Sequence, residues 1–221
     1  MRQRRVTGIE ERLAPYADLI LSGDNEIDRN MRWYQRSSPR YILPAGFERI
    51  YAEFGCGRGL FINNLAAEDP GGLYIGIEGC KTIVIRALEK TRAAEHNNVR
   101  YIDGFVNDAE SAFDKESLSG VFLNFSDPWP KDRHADRRLT SPGKAEKYLR
   151  VLKEGGFVSF KADGEEFFNY SLKTFTEAGF HITGTACEDH IAERAKETPT
   201  EYELKFRAQG RPIYQFTAVK R

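Results

Sequence analysis

From about residue 50 onward the chain alternates short apolar runs with longer amphipathic ones, and this alternation restricts the fold more than any other feature. Residues 50–54, 73–77, 99–102, 120–125 and 157–161 read as strands, and 60–67, 81–94, 142–152 and 165–178 as helices. Strands that are apolar at nearly every position have no polar face to offer water, so each must be covered on both sides. With a helix between successive strands, the pattern describes a parallel sheet between two helical layers. Ser141 stands as a cap ahead of Pro142, and Gly155-Gly156 marks a stop beyond residue 152. After Gly179 the pattern changes to two further strands, 180–187 and 212–219, joined by a polar connection. They would complete a seven-stranded sheet with an antiparallel end.

A chain of 221 residues can bury one substantial core, and a single domain is expected. Residues 1–45 show little periodicity beyond a helix at 10–21 and a basic, aromatic stretch at 29–40, so they read as an N-terminal extension to a domain spanning 46–221. No run of apolar residues is long enough for a membrane span, and the arginines at the N-terminus precede no apolar segment of the kind a secretory signal needs. A cytoplasmic location is the expectation. Cys56, Cys80 and Cys187 are odd in number and far apart, without a C-x-x-C pair or histidines at ligand spacing; they read as free thiols, and no metal is expected.

Thirty-three basic residues balance thirty-three acidic ones, which argues against indiscriminate coating of nucleic acid. The charge is nonetheless uneven. Between Lys131 and Lys153 eight basic residues face three acidic ones, and between Lys205 and Arg221 five face none. Lys131, Arg133, Arg137 and Arg138 are the expected phosphate contacts, with solvated surface as the plain alternative.

The first motif that carries chemistry is E-F-G-C-G-R-G at 53–59, at the end of the first strand and the start of a helix. Gly55, Gly57 and Gly59 let the backbone turn tightly and a ligand approach closely. A dinucleotide loop reads G-x-G-x-x-G; here the spacing is G-x-G-x-G behind the carboxylate of Glu53, which suits a cationic amino-acid ligand better than a diphosphate. An NAD-dependent oxidoreductase is correspondingly disfavoured. Glu78 ends the second strand 23 residues after Gly55, where such Rossmann-like folds place an acid against the ribose hydroxyls of an adenosine. An acid favoured by the following helix dipole is the alternative. After the third strand, Asn107 or Asp108 would meet the adenine amino group, with Asp103 as a rival.

The second motif, N-F-S-D-P-W-P-K-D-R-H at 124–134, follows the fourth strand directly. Ligands of open parallel sheets sit beyond the carboxyl ends of the strands, so this loop should face the reacting group. Pro128 and Pro130 push Asp127 and Trp129 towards extended conformations and stiffen the loop. His134, set among charges, reads as a phosphate contact or surface group.

The stretch D-P-W-P-K-x-R-H-x-x-R-R-L at 127–139 resembles the signature of the bacterial tRNA (guanine-N7)-methyltransferases, as do F-K-A-D-G at 160–164, T-E-Y-E-L-K-F at 200–206 and G-R-P-I-Y at 210–214. The resemblance runs from about residue 50 to the end. It implies a class I, S-adenosylmethionine-dependent methyltransferase with tRNA as partner and a guanine of the variable loop as target; homo-oligomerisation stays open. By the same resemblance Glu53, Gly55, Gly57, Glu78, Asn107 and Asp127 would line the S-adenosylmethionine side, with Asp127 catalytic. Lys131, Arg133, Asp163, Thr200, Glu201, Tyr202 and Glu203 would hold the substrate. Spacing alone would make Asp163 a helix cap and Glu201, Glu203 and Lys205 a solvated strand face. Ala162 stands where the family commonly has threonine, and tRNA contacts at Arg4 or Arg5 are not carried over because the first 45 residues match poorly. Two other readings remain: an amino-group methyltransferase on another nucleic acid, since D-P-W-P resembles the loops of adenine and cytosine N-methylases, and a silent RNA-binding protein with this fold.

Overall fold

The computed structural model describes residues 8–21, 23, 41–105, 109–183 and 190–221. Seven strands form one sheet: β1 (Arg49–Phe54), β2 (Gly72–Glu78), β3 (Val99–Asp103), β4 (Leu118–Asn124), β5 (Leu152–Ala162), β6 (His181–Thr183) and β7 (Tyr214–Val219). Their order is β3-β2-β1-β4-β5-β7-β6. β1 to β5 run parallel, while β7 pairs antiparallel with both β5 and β6. The antiparallel end follows from the chain itself, because β7 returns from a long excursion to fill the place between β5 and β6.

Every residue of β4 and all but the last of β2 are buried, as near-continuous apolar runs require. The two faces separate by the period of the strand. Ala52 and Phe54 of β1 join Tyr148 and Phe175 in one core cluster, whereas Tyr51 joins Phe61, Leu65 and Leu88 in the other. The first cluster lies under α4 (Ala109–Ala112), α5 (Pro142–Val151) and α6 (Glu165–Glu177). The second lies under α2 (Leu60–Glu68), α3 (Lys81–Ala93) and α7 (His190–Glu197). No helix among the described residues is long and apolar enough to cross a membrane.

Four expectations change. The helix expected over 10–21 is α1 (Ile9–Leu13) followed by a 3₁₀ segment, Ala14–Leu19, because Pro15 opens a tighter turn. Leu21 then donates its N–H to the Tyr101 carbonyl at 2.8 Å, which adds the extension to the β3 edge. Gly155-Gly156 lies inside β5 rather than after a gap, since the strand starts directly at Leu152 behind α5. Residues 201–207 form a helix, α8 (Glu201–Arg207), instead of a strand face: the Thr200 hydroxyl accepts the Glu203 N–H at 2.9 Å and caps it. The strand expected over 180–187 is described only as β6, and residues 184–189, with Cys187, lie outside the described part.

Candidate active site

The strand order reverses between β1 and β4, and the ends of these two strands are joined by a side-chain hydrogen bond. Asn124 Nδ2 donates to Glu53 Oε1 at 2.9 Å. Both residues are buried, and Glu53 Oε2 and Asn124 Oδ1 have no hydrogen-bond partner among the described residues. Burial pushes the Glu53 carboxyl up to about 8, against the pull of Asn124. A buried acid with one unsatisfied oxygen at a topological switch point is poised to receive a positive group.

The glycine loop shapes the space above it. Gly55, Gly57 and Gly59 all have positive φ, at 81°, 56° and 74°. A Cβ at Gly55 or Gly57 would meet nothing within 4 Å, whereas one at Gly59 would lie 2.7 Å from the Ala87 Cβ. The first two glycines therefore keep room for a ligand, and the third lets α2 close on α3. Glu78 finishes the loop: its carboxylate accepts the Gly57 N–H at 3.2 Å and the Cys80 N–H at 2.8 Å. Partial burial raises its pKa, and those backbone donors work in the opposite direction.

A cleft of about 440 Å³ opens here, lined among others by Glu53, Gly55, Gly57, Thr200, Glu201 and Tyr202. Glu201 belongs as much to the glycine side as to the far wall. Its carboxylate accepts the Leu60 N–H at 3.2 Å, at the start of α2, and pairs with Lys90 Nζ at 2.8 Å. Tyr202 packs at a tilt between Phe125, with ring centroids 5.0 Å apart, and Phe206, at 4.4 Å. Its phenol is raised by partial burial and by the charges of Asp163 and Asp127, so both acids lie near this ring. Asp163 pairs with Arg211 at 3.5 Å instead of capping α6, whose cap position is Gly164.

The loop after β4 is held from behind. Trp129 has φ 40° and Phe125 φ 51°, both in the left-handed region, so the extended conformation expected of Trp129 before Pro130 is not adopted. Arg138 holds this conformation: it donates to the Pro128 carbonyl at 2.9 Å and the Trp129 carbonyl at 3.0 Å and lies 4.3 Å from the Tyr170 ring centroid. Arg138, expected on phosphate, is thus a buried clamp at 9% exposure. Arg137 lies over the Trp129 ring at 5.0 Å. Asp127, Lys131 and Arg133 are exposed on this loop and on the 3₁₀ turn Asp132–Arg137 that follows it, outside the lining of the cleft. His134 packs edge-on against Trp129 at 5.8 Å, and slight desolvation together with the charges of Arg137, Arg133 and Lys131 lowers its pKa.

Glu203 is the expected substrate residue that the structure removes from the surface. It is fully buried, and its carboxylate accepts from Lys161 at 2.9 Å. Asn107 and Asp108 lie outside the described residues. Asp103, the rival for its place, pairs with Lys81 at 3.3 Å and keeps one buried oxygen unpartnered. Asn124, Lys161 and Arg138 were not singled out as site-builders by sequence reading. Asn124 carries a signal as the polar end of an apolar strand, whereas Lys161 and Arg138 stand inside the 160–164 and 127–139 motifs with nothing there to mark these roles.

A mixed seven-stranded sheet, a glycine loop above a buried acid and a cleft at the strand-order reversal define a methyltransferase of the Rossmann-like class. Residues 48–216 match the profile of a family described as "Putative methyltransferase". The sequence is 36% identical to the tRNA (guanine-N(7)-)-methyltransferase of Bacillus subtilis (strain 168), with 97% of each chain covered. It is 35% identical to that of Clostridioides difficile (strain 630), with 100% of each covered. The chain therefore belongs to the family of tRNA (guanine-N(7)-)-methyltransferases. Solved structures share the fold: an antibiotic-related methyltransferase superposes with a TM-score of 0.54 at 20% identity, covering 79% of this chain and 87% of that one. A 30S ribosomal A1408 methyltransferase from an uncultured bacterium gives 0.53 at 19% identity, covering 80% and 89%.

Proposed function

We propose that this protein transfers a methyl group from S-adenosylmethionine to N7 of a guanine in tRNA, in the variable loop as the family resemblance implies. The observation that carries the cofactor half is the free oxygen of buried Glu53 beneath the open Gly55–Gly57 loop. The residues present fit the cofactor. Glu53 and Asn124 would offer acceptors to its ammonium group, Gly55 and Gly57 would leave room for its chain, and Glu78, already fixed by two backbone donors, would hold the ribose. Asn107 or Asp108, with Asp103 as the rival, would meet the adenine amino group. When bound, S-adenosylmethionine supplies an electrophilic methyl on a sulfonium.

Guanine N7 presents a lone pair without losing a proton, so placement and charge should contribute more than deprotonation. Asp127 is the catalytic residue in this reading, acting as an acceptor for the guanine N1 and N2 hydrogens and as a negative charge offsetting the positive charge that develops on the base. It stands on the exposed loop after β4, where by resemblance it would border the cofactor as well as the base. Thr200, Glu201, Tyr202 and Asp163 border the base on the far side, while Lys131 and Arg133 meet phosphates. Residues 46–221 constitute the methyltransferase domain in this reading, with 1–45 as an extension of which Leu21 bonds the β3 edge at Tyr101, and the enzyme works on tRNA in the cytoplasm.

Incubation with unmodified tRNA and methyl-labelled S-adenosylmethionine, followed by nucleoside analysis, tests the reading. Label in 7-methylguanosine is expected. Label in an N-methylated adenine or cytosine would replace it with an amino-group methyltransferase, and unlabelled tRNA would leave only an RNA-binding role.

A further inference from the structure

Lysine almost never loses all contact with water, because removing an ammonium from solvent is costly unless it is paired and hydrogen-bonded. Lys161 of β5 is fully buried, and neither the cleft lining nor any expected role accounts for it. Its Nζ donates to Glu203 Oε2 at 2.9 Å and to the Thr198 carbonyl at 2.8 Å, and lies 5.7 Å from the Phe61 ring centroid. Burial lowers the ammonium's pKa, and the Glu203 carboxylate opposes that shift. Glu203 is also 2.5 Å from Arg207 one turn further along α8.

The two acceptors stand on either side of one corner. Thr198 follows the end of α7, and Glu203 lies in the first turn of α8; between them are Thr200, Glu201 and Tyr202, which line the cleft. Lys161 is also the register partner of Asn124, and its carbonyl accepts the Phe125 N–H at 2.8 Å where the strand gives way to the Asp127 loop. One residue thus connects the backbone origin of that loop with the α7–α8 corner whose Tyr202 ring rests on Phe125. A buried ion pair is weak ground for stability, since apolar residues of similar volume often do as well. Directed hydrogen bonds from a single ammonium do something apolar packing cannot: they fix the corner's direction as well as its depth.

We propose that Lys161 is a positioning residue for methyl transfer, aligning the α7–α8 corner with the Asp127 loop so that the acceptor base meets the methyl in line. The proposal rests on the tRNA methylation argued above. The test compares the parental protein with Lys161→Met and with the double variant Lys161→Met/Glu203→Met. The single variant leaves a buried carboxylate without its partner and is expected to melt well below the parent. The double variant removes both charges and should melt close to the parent.

For the double variant we expect S-adenosylmethionine affinity and tRNA KM near parental values but kcat on tRNA lower by about 10²-fold, the scale of a small misplacement of reacting groups. Parental kcat in a folded double variant would overturn the proposal, as would loss of cofactor affinity in step with kcat. A double variant that does not fold would also overturn it, by showing that the pair carries stability rather than alignment. If the parental protein itself transfers no methyl to tRNA, it is the functional reading that fails.

Discussion

In the proposed reading the cleft forms one wall of the site and the loop after β4 the other, and the two are built by opposite means. On the proposed cofactor wall, Glu53 is 2% exposed and Asn124 8%, and Glu78, at the end of β2, is tied to two backbone N–H groups. On the proposed acceptor wall, outside the cleft lining, Asp127, Lys131 and Arg133 are exposed, and the loop that carries them is shaped by two left-handed residues, an arginine clamp and the packing of Arg137 on Trp129. Burial orders the first wall before any ligand arrives, which suits a small molecule that must be enclosed. The second wall stays open and cationic, as recognition of a large polyanion demands, and its backbone strain, about 1–3 kcal/mol per left-handed residue, is offset by Arg138 from behind. Binding of the cofactor and turnover on the base should therefore separate on substitution.

The largest effect is expected on the open wall. Asp127→Asn keeps the shape but removes the charge and one acceptor, and single-turnover rates should fall by about 10²–10³, the scale for loss of one electrostatic stabiliser. The fall should leave the shape of the pH profile unchanged; an acidic limb abolished by the substitution would make Asp127 a proton acceptor and break the comparison. On the enclosed wall, Glu78→Ala should weaken S-adenosylmethionine binding by roughly 10- to 100-fold, since charge-assisted hydrogen bonds contribute about 1.5–3 kcal/mol. An unchanged dissociation constant would reduce Glu78 to a loop-capping acid.

Proton linkage sharpens the contrast further. With its carboxyl raised to about 8, Glu53 holds a proton in the ligand-free protein at neutral pH, whereas a bound ammonium needs the anion. Binding should therefore release a proton below about 8, and affinity should rise with pH by at most about tenfold per unit, flattening above that value. Glu53→Gln should abolish the rise. The same group lowers the stability of the ligand-free protein as pH climbs from its ordinary 4.5 to about 8, because the folded state holds the proton more tightly than the unfolded chain. Calorimetry in buffers of different ionisation enthalpy measures the release; its absence would mean that Glu53 is already ionised. The smallest effect is electrostatic: Lys131→Ala and Arg133→Ala should each reduce the slope of log tRNA affinity against log salt by about 0.7–0.9. A parental slope in both variants would leave them as surface charges.

What the sequence disclosed divides along similar lines. Apolar runs with clear periods mark β1 to β4 and the helices α2, α3, α5 and α6 to within about two residues, because burial on both faces leaves little freedom of pattern, while α4 and the first five residues of β5 carry no such signal. The α7–α8 region was read poorly. Alternating charges at Glu201, Glu203 and Lys205 mimic a strand of period two, and only the pair Thr200 and Glu203, at the spacing of a helix capping box, signalled the helix. Glu203 and Lys161 were opaque for another reason: a charged residue in sequence gives no sign that its partner, 42 positions away, will take it out of water. Arg138 likewise looked like its neighbour Arg137, and only the fold separates the clamp from the stacking partner of Trp129. Resemblance supplied Asp163 and the 200–203 segment as substrate residues, while geometry assigns Glu203 to the support beneath them.

The division between the two walls is tested most directly by calorimetric titration of S-adenosylmethionine into Asp127→Asn alongside Glu78→Ala. Resemblance puts Asp127 on the cofactor side as well; in the structure it is exposed on the loop after β4, near enough to Tyr202 of the cleft for its charge to act there. The account predicts a dissociation constant close to parental for Asp127→Asn, against the roughly 10- to 100-fold increase for Glu78→Ala. Equal weakening in the two variants would contradict it, by showing that Asp127 holds the cofactor and that the two walls are one.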